Sequence, residues 1–304
     1  VQRVFNCVVV LVVAGVCLIQ GIENYGFKKD SRFSNNQIDI LRNRLNSRGP
    51  VPRTDDLAIY RQLQEVSVKV ISARGSGSGV VFTRNIAGKQ KTFVWTAGHV
   101  INGLQQDDGS FAHATVLVEM RTVHGEFVCK KSLPARVIAF SDPNSGQDLA
   151  LLEVFDDGVQ LTWLYSAEFA DASIQPVGTE IIHVGSTAGL FNSVSLGIIS
   201  QTDRDLGDGL RYDQTTSMAY PGSSGGGVYT RNGECIGLLT RGIGPGLNFF
   251  VPMRRVRAWA KEEGIEWALD RNVPVPLVRD PTRFEEKTRP SRKGASAVVE
   301  IGIS

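Results

Sequence analysis

For residues 57–269 the sequence predicts an all-β fold, either a sandwich or a pair of barrels. Two observations lead there. Short runs rich in β-branched and aromatic residues, about ten of them, are separated by turns rich in Gly, Asn and Asp. Between these runs no stretch keeps the apolar spacing of a long helix, and strands without covering helices must cover one another.

From the N-terminus, residues 4–22 form an apolar run, VFNCVVVLVVAGVCLIQGI, just long enough to cross a bilayer with Asn6 near the interface. Residues 1–22 are therefore assigned as a membrane anchor, an N-terminal transmembrane segment, with a cleaved signal peptide as the alternative; no clean A-x-A site follows the run. Arg3 precedes it and Lys28, Lys29 and Arg32 follow it, which by the positive-inside rule alone puts the downstream side in the cytoplasm. Residues 23–56, with Ser34, Asn35, Asn36, Pro50 and Pro52, have linker composition. A short helical stretch from Asp55 to about Glu65 leads into residues 66–70, where apolar and polar side chains alternate as in a half-buried strand. Strand runs follow at 80–83, 92–96, 115–120, 136–140, 149–154, 180–184, 195–200, 226–229, 236–240 and 248–251. From Met253 to about Leu269, Val256, Trp259, Ala260 and Ile265 recur at helical spacing, with Gly264 a point where the helix can break. Residues 270–304 carry Pro274, Pro276, Pro281 and Pro290 among many charges and read as a flexible tail.

Charge selects no partner. With 33 Lys+Arg against 31 Asp+Glu the net charge is +2, which gives nucleic acid no global attraction, so no nucleic-acid partner is expected. Of four cysteines, Cys7 and Cys17 lie in the apolar run, which leaves Cys129 and Cys235 as either one bridge or two buried thiols. Neither a C-x-x-C pair nor a Cys/His cluster is present, and no metal or other cofactor is expected.

The chemistry-bearing residues emerge from position and order. Ser224 sits in the glycine-rich segment 220–228, YPGSSGGGV, where glycines permit the close approach and unusual dihedrals that turn neighbouring backbone N–H groups on a developing oxyanion. His99 ends the strand run FVWTAGH, and Asp148 stands where a polar loop enters the apolar run LALLEV, with Asp142 as its reserve. Gly222-x-Ser224-x-Gly226 also fits the nucleophile elbow of α/β-hydrolases, but that arrangement needs a histidine after the serine, and His99, His113, His124 and His183 all precede it. The order His, Asp, Ser is that of chymotrypsin and not of subtilisin.

TAGHV at 96–100, DLALL at 148–152 and GSSGG at 222–226 resemble the three signature segments of trypsin-like serine proteases. The subgroup most similar is the HtrA/Deg type, through GSGSGVV at 75–81, VGSTAGL at 184–190, VSLGIIS at 194–200 and Gln214-Thr215-Thr216. The resemblance covers about residues 57–262 and implies two six-stranded antiparallel β-barrels with a C-terminal helix. It implies a serine endopeptidase in which Ser224 attacks, His99 is the general base, Asp148 orients it, and the backbone N–H groups of Gly222 and Ser224 form the oxyanion hole. It also assigns the primary substrate pocket to Met218, Tyr220, Thr240, Arg241, Gly242 and Asn248, together with Phe249 and Phe250.

No acid marks the floor of that pocket, so cleavage is expected after small or medium apolar residues rather than after Lys or Arg. The family usually has Asp or Asn where Ser223 stands and Pro where Gly227 stands, and a PDZ module normally follows its protease, whereas residues 270–304 are short. Activation through such a module is therefore not expected. Protein or peptide substrates, membrane attachment through residues 1–22, a periplasmic or extracellular protease domain and a homo-oligomer complete the expectations. Two further readings stay open: a binding protein that keeps the fold without turnover, and a viral or phage processing protease.

Overall fold

The computed structural model describes residues 54–73, 75–121, 127–155, 165–244 and 246–276. A helix, α1 (Thr54–Glu65), begins three residues ahead of the expected domain start at 57 and leads into the first barrel. That barrel contains β1 (Ser67–Ser72), β2 (Gly75–Ile86), β3 (Lys89–Ala97), β4 (Ala114–Arg121), β5 (Phe127–Phe140) and β6 (Leu149–Val154). The strands close in the order β1-β2-β3-β6-β5-β4, all antiparallel. The β2–β3 turn is two residues long, with positive φ at Ala87 (51°) and Gly88 (78°), the geometry that matches the twist of a hairpin.

The second barrel contains β8 (Glu180–Gly185), β9 (Ser193–Asp205), β10 (Arg211–Thr215), β11 (Gly227–Thr230), β12 (Glu234–Gly244) and β13 (Leu247–Pro252). Its order is β11-β8-β9-β10-β13-β12, and pairing of β11 with β12 closes it. The short β7 (Glu168–Phe169) adds to β12 in parallel. The chain therefore folds as two closed six-stranded antiparallel barrels.

Alternation along the strands sorts side chains between cores. On β3 and β6, Val94, Ala150, Leu152 and Val154 fill the first barrel, while Phe93, Trp95, Leu149 and Leu151 face a second cluster that includes Trp259 and Trp267. Both faces of β6 are therefore buried, and its one charged residue, Glu153, pairs with Lys91 and Arg136. Ile181, Ile199, Val228, Ile236, Leu239 and Phe250 fill the second barrel.

The C-terminal helix, α3 (Met253–Glu262), is shorter than the expected 253–269. Gly264, at φ 65°, lets Ile265 N–H bond back to the Ala260 carbonyl and Gly264 N–H to that of Lys261, a Schellman stop. A 3₁₀ turn, Glu266–Ala268, follows. Trp259 meets Trp95 edge to face at 5.9 Å, and the Trp95 indole donates to the Ala268 carbonyl, so this segment is docked on the first barrel.

Cys129 and Cys235 are not bridged to each other; burial pushes the Cys235 thiol up to about 12, and it packs as a small apolar group. The expected anchor at 1–22, residues 23–53 of the expected linker (23–56), His124 and residues 277–304 of the expected tail (270–304) lie outside the described residues. Among the described residues no helix is long and apolar enough to cross a membrane.

Candidate active site

The loop at 141–148 and the end of β3 are brought together by a glycine. A side chain at Gly98 would fall 2.4 Å from the Ser141 carbonyl and 3.2 Å from the Asp148 backbone, so only glycine lets the short helix α2 (Gly98–Ile101) approach this loop. His99, on α2, presents Nδ1 to both Asp148 oxygens at 2.9 and 3.1 Å, and its backbone N–H donates to Asp148 Oδ1 at 2.8 Å. Asp148 is 2% exposed and adopts positive φ (57°), a conformation its short polar side chain tolerates. Burial alone would raise its carboxyl. The hydrogen bond and charge of His99, with the Thr240 hydroxyl and the His99 N–H, outweigh that and hold it below the ordinary value. Asp142, the reserve acid, instead accepts from Asn144 N–H within its own turn.

Two consecutive turns shape the serine segment. Ser223 N–H bonds to the Tyr220 carbonyl at 2.9 Å, with Pro221 and then Gly222 at φ 96° between them, a type II turn. Gly226 N–H bonds to the Ser223 carbonyl at 3.0 Å, with Gly225 at φ 83° in the matching place. At Gly225 a side chain would also strike the Ser78 carbonyl at 2.3 Å, so both the dihedral and the space demand glycine.

The Pro221 carbonyl is held by Ala188 N–H at 2.8 Å. Because a trans peptide points its C=O and N–H in opposite directions, this bond turns Gly222 N–H away from the 187–189 turn. Neither Gly222 N–H nor Ser224 N–H has an acceptor among the described residues.

Thr240, on β12, joins the two halves. Its hydroxyl donates to Asp148 Oδ2, and its carbonyl accepts from the Ser224 hydroxyl at 3.4 Å. On β2, Ser78 N–H bonds to the Ser224 carbonyl at 2.7 Å and the Ser78 hydroxyl to that of Gly222 at 2.7 Å. The structure thus brings His99 onto Asp148 and sets Ser224 one residue away through Thr240; no direct hydrogen bond joins Ser224 to His99 among the described residues.

Beside Ser224 lies a cleft of about 410 Å³ lined by the six expected residues and also by Ala219, Pro221, Ile243 and Gly244, with no acidic residue among its walls. Met218 and Tyr220 stand half-exposed at its rim. Gly242 faces Asn248, whose amide donates to the Ser217 carbonyl at 2.7 Å. Phe249 and Phe250 do not belong to it: both are buried in cores. Arg241, its side chain 35% exposed, pairs with Asp208 at 2.8 Å and lies over the Tyr212 ring.

Sequence reasoning did not find the hydroxyl of Thr240 on Asp148, the closeness required at Gly98, or the Ala188 contact. The signals were present only as small or hydroxylated residues in otherwise apolar runs. Among the described residues no cluster of side chains could hold a metal ion.

A family profile described as "Trypsin-like peptidase domain" matches residues 77–238. The chain belongs to the trypsin-like peptidase family. Within that family it is 28% identical over 201 residues to "Serine protease Do-like HtrA" of Bacillus subtilis, covering 62% of this chain and 39% of that protein. It is 27% identical over 188 residues to "Serine protease HTRA1B" of Danio rerio, covering 60% and 37%. This trypsin-like chain thus spans about two fifths of the length of these relatives. Among solved structures, the serine endoprotease from Yersinia pestis superposes with a TM-score of 0.52 at 23% identity, covering 71% of this chain and 68% of that one. Deg5 superposes with a TM-score of 0.51 at 21% identity, covering 67% and 91%. At these identities the superpositions speak for the double-barrel fold.

Proposed function

We propose that this protein is a serine endopeptidase in which Ser224 attacks the peptide carbonyl, His99 carries the proton to the leaving amine, and Asp148 fixes the imidazole. The observation that carries the proposal is the His99 ring seated on both oxygens of a buried carboxylate that Thr240 links to Ser224. With its carboxylate held below the ordinary value, Asp148 stays ionised and leaves Nδ1 protonated and Nε2 as the base. The unclaimed N–H groups of Gly222 and Ser224 support the oxyanion role, a contribution of roughly 3 kcal/mol to the transition state for each such donor.

The Ser224 hydroxyl, now on Thr240, must exchange that long contact for His99 when substrate arrives; such bonds commonly tighten only with substrate. The acid-free cleft, narrowed by the Asn248 side chain opposite Gly242, supports cleavage after small or medium apolar residues. Relatives named as HtrA and DegP-like serine proteases support protein substrates and, where named periplasmic, a domain outside the cytoplasm; a homo-oligomer rests on the family resemblance alone. Membrane attachment rests on the apolar run at 4–22 alone, and protease-accessibility mapping in intact cells tests it.

A fluorophosphonate probe tests the chemistry. Wild type should label at Ser224 and Ser224→Ala should not. Absence of wild-type labelling would favour the alternative of a binding protein without turnover, and equal labelling of the variant would remove Ser224 from the mechanism. A peptide library cleaved mainly after Arg would overturn the pocket reading.

A further inference from the structure

Behind Asp148 the contacts form a closed circuit that runs through a residue on α3. Arg255 donates to Gln147, the neighbour of Asp148, through Nε and Nη2 on the side-chain oxygen (3.0 and 2.9 Å) and Nη2 on the carbonyl (3.3 Å). Its guanidinium lies 4.6 Å from the centroid of the buried Tyr212 ring, and Arg241 lies 5.0 Å from the same ring. Arg241 adjoins Thr240, whose hydroxyl returns to Asp148. The Tyr212 hydroxyl and Arg241 both bind Asp208 at 2.8 Å, so the column of two cations and a ring carries its own counter-charge on the β9–β10 hairpin.

We propose that Arg255 is a positioning residue for the Asp148–His99 pair, acting through Gln147 on one side and through Tyr212, Arg241 and Thr240 on the other. The inference rests on the reading of Asp148 as the orienting acid. Physical considerations make the circuit more than packing. Asp148 sits at the end of a loop at a positive φ that aspartate tolerates, so the placing of its carboxylate falls to its own contacts and to those of its neighbour Gln147. Two guanidinium planes on one buried ring form a stiff spacer, because each plane is also pinned by hydrogen bonds or an ion pair at its edge. The circuit therefore couples the cleft wall at Arg241 to the acid loop at Gln147. Of the charged groups near the pair, Asp142 is turned to its own loop, and Asp208 is neutralised by Arg241.

The test compares purified full-length variants by steady-state hydrolysis of an apolar peptide, thermal melting and the low-field proton resonance of His99 Nδ1–H. Arg255→Met should lower kcat by about tenfold or more, inside the roughly hundredfold that a misplacement of ~1 Å costs, with KM within about twofold. The Nδ1–H resonance should shift or broaden. Arg255→Lys, which restores one donor and the charge, should recover part of kcat. A folded Arg255→Met protein with wild-type kcat and an unmoved resonance overturns the proposal, as does a rate loss with the resonance unmoved. Where Arg255→Met does not fold, Asp208→Asn carries the test, since it releases Arg241 at the surface; a smaller fall in kcat with a moved resonance is expected, and no change in either is fatal. Asp148→Asn separates the premise: if it leaves kcat intact, the reading of the acid fails, whatever Arg255 does.

Discussion

A single residue, Thr240, touches both the proposed acid and the proposed nucleophile, beyond the cleft-lining place that the sequence assigned to it. Thr240 was expected to line the substrate cleft; it does, but its Oγ1 is spent on Asp148 and its carbonyl on Ser224. A buried carboxylate that loses one donor is left partly unsatisfied, at a cost of about 1–3 kcal/mol. Thr240→Ala should therefore cut kcat by about tenfold or more with little change in KM, while Thr240→Ser keeps most of the rate; steady-state kinetics on one peptide measures both. Equal loss in the two variants would mean that the methyl, not the hydroxyl, matters. Legibility at this scale followed chemistry. The roles proposed for Ser224, His99 and Asp148 can be read from residue type and order, whereas those proposed for Thr240 and Arg255 rest on neighbours distant in sequence.

Among the elements, β10 and the first half of β5 went unread because charged residues interrupt their apolar alternation. β10 went unread because Asp213 occupies a buried position, satisfied by a two-pronged pair with Arg254 on α3 at 2.7 and 2.8 Å. β5 reads as a strand only from 136 because Lys130, Lys131 and Pro134 break the apolar alternation of its first half, though it pairs with β4 throughout. β6, apolar but for Glu153, was by contrast plain. β11 bears on a position where the family resemblance implies proline: at Gly227 a side chain would fall 2.3 Å from the Tyr229 ring, which fills that space. Gly227→Ala should cost about 1–3 kcal/mol through overpacking in urea denaturation. In a Tyr229→Val background the same change should cost nothing measurable, because the pair is coupled by contact. Additive losses would show that the glycine serves its backbone instead.

For the whole molecule, acid stability should turn on a histidine outside the proposed triad. His183, on β8, is fully buried beneath the serine segment: a side chain at Gly226 would meet its ring at 2.8 Å. Nδ1 lies 3.0 Å from the Gly227 carbonyl, which can only accept, so the neutral ring carries its proton there and leaves Nε2 without a partner among the described residues. Burial lowers its pKa from 6.5 to about 4, only partly opposed by the Gly227 bond. Between those values the unfolded chain binds a proton that the folded chain refuses. Stability is therefore complete above about pH 6.5 and falls as pH drops towards 4, by roughly 3 kcal/mol at about 1.4 kcal/mol per unit. Asp148 acts in a separate, more acidic window: its carboxyl is held below 3.8, so its contribution is present above that value and is lost as pH falls through the lowered one. Urea denaturation from pH 7 to 4 should accordingly show stability declining for wild type, with a markedly flatter profile for His183→Gln, while Asp148→Asn keeps the slope. An equal slope in wild type and His183→Gln would assign the acid sensitivity to some other group and leave His183 as packing alone.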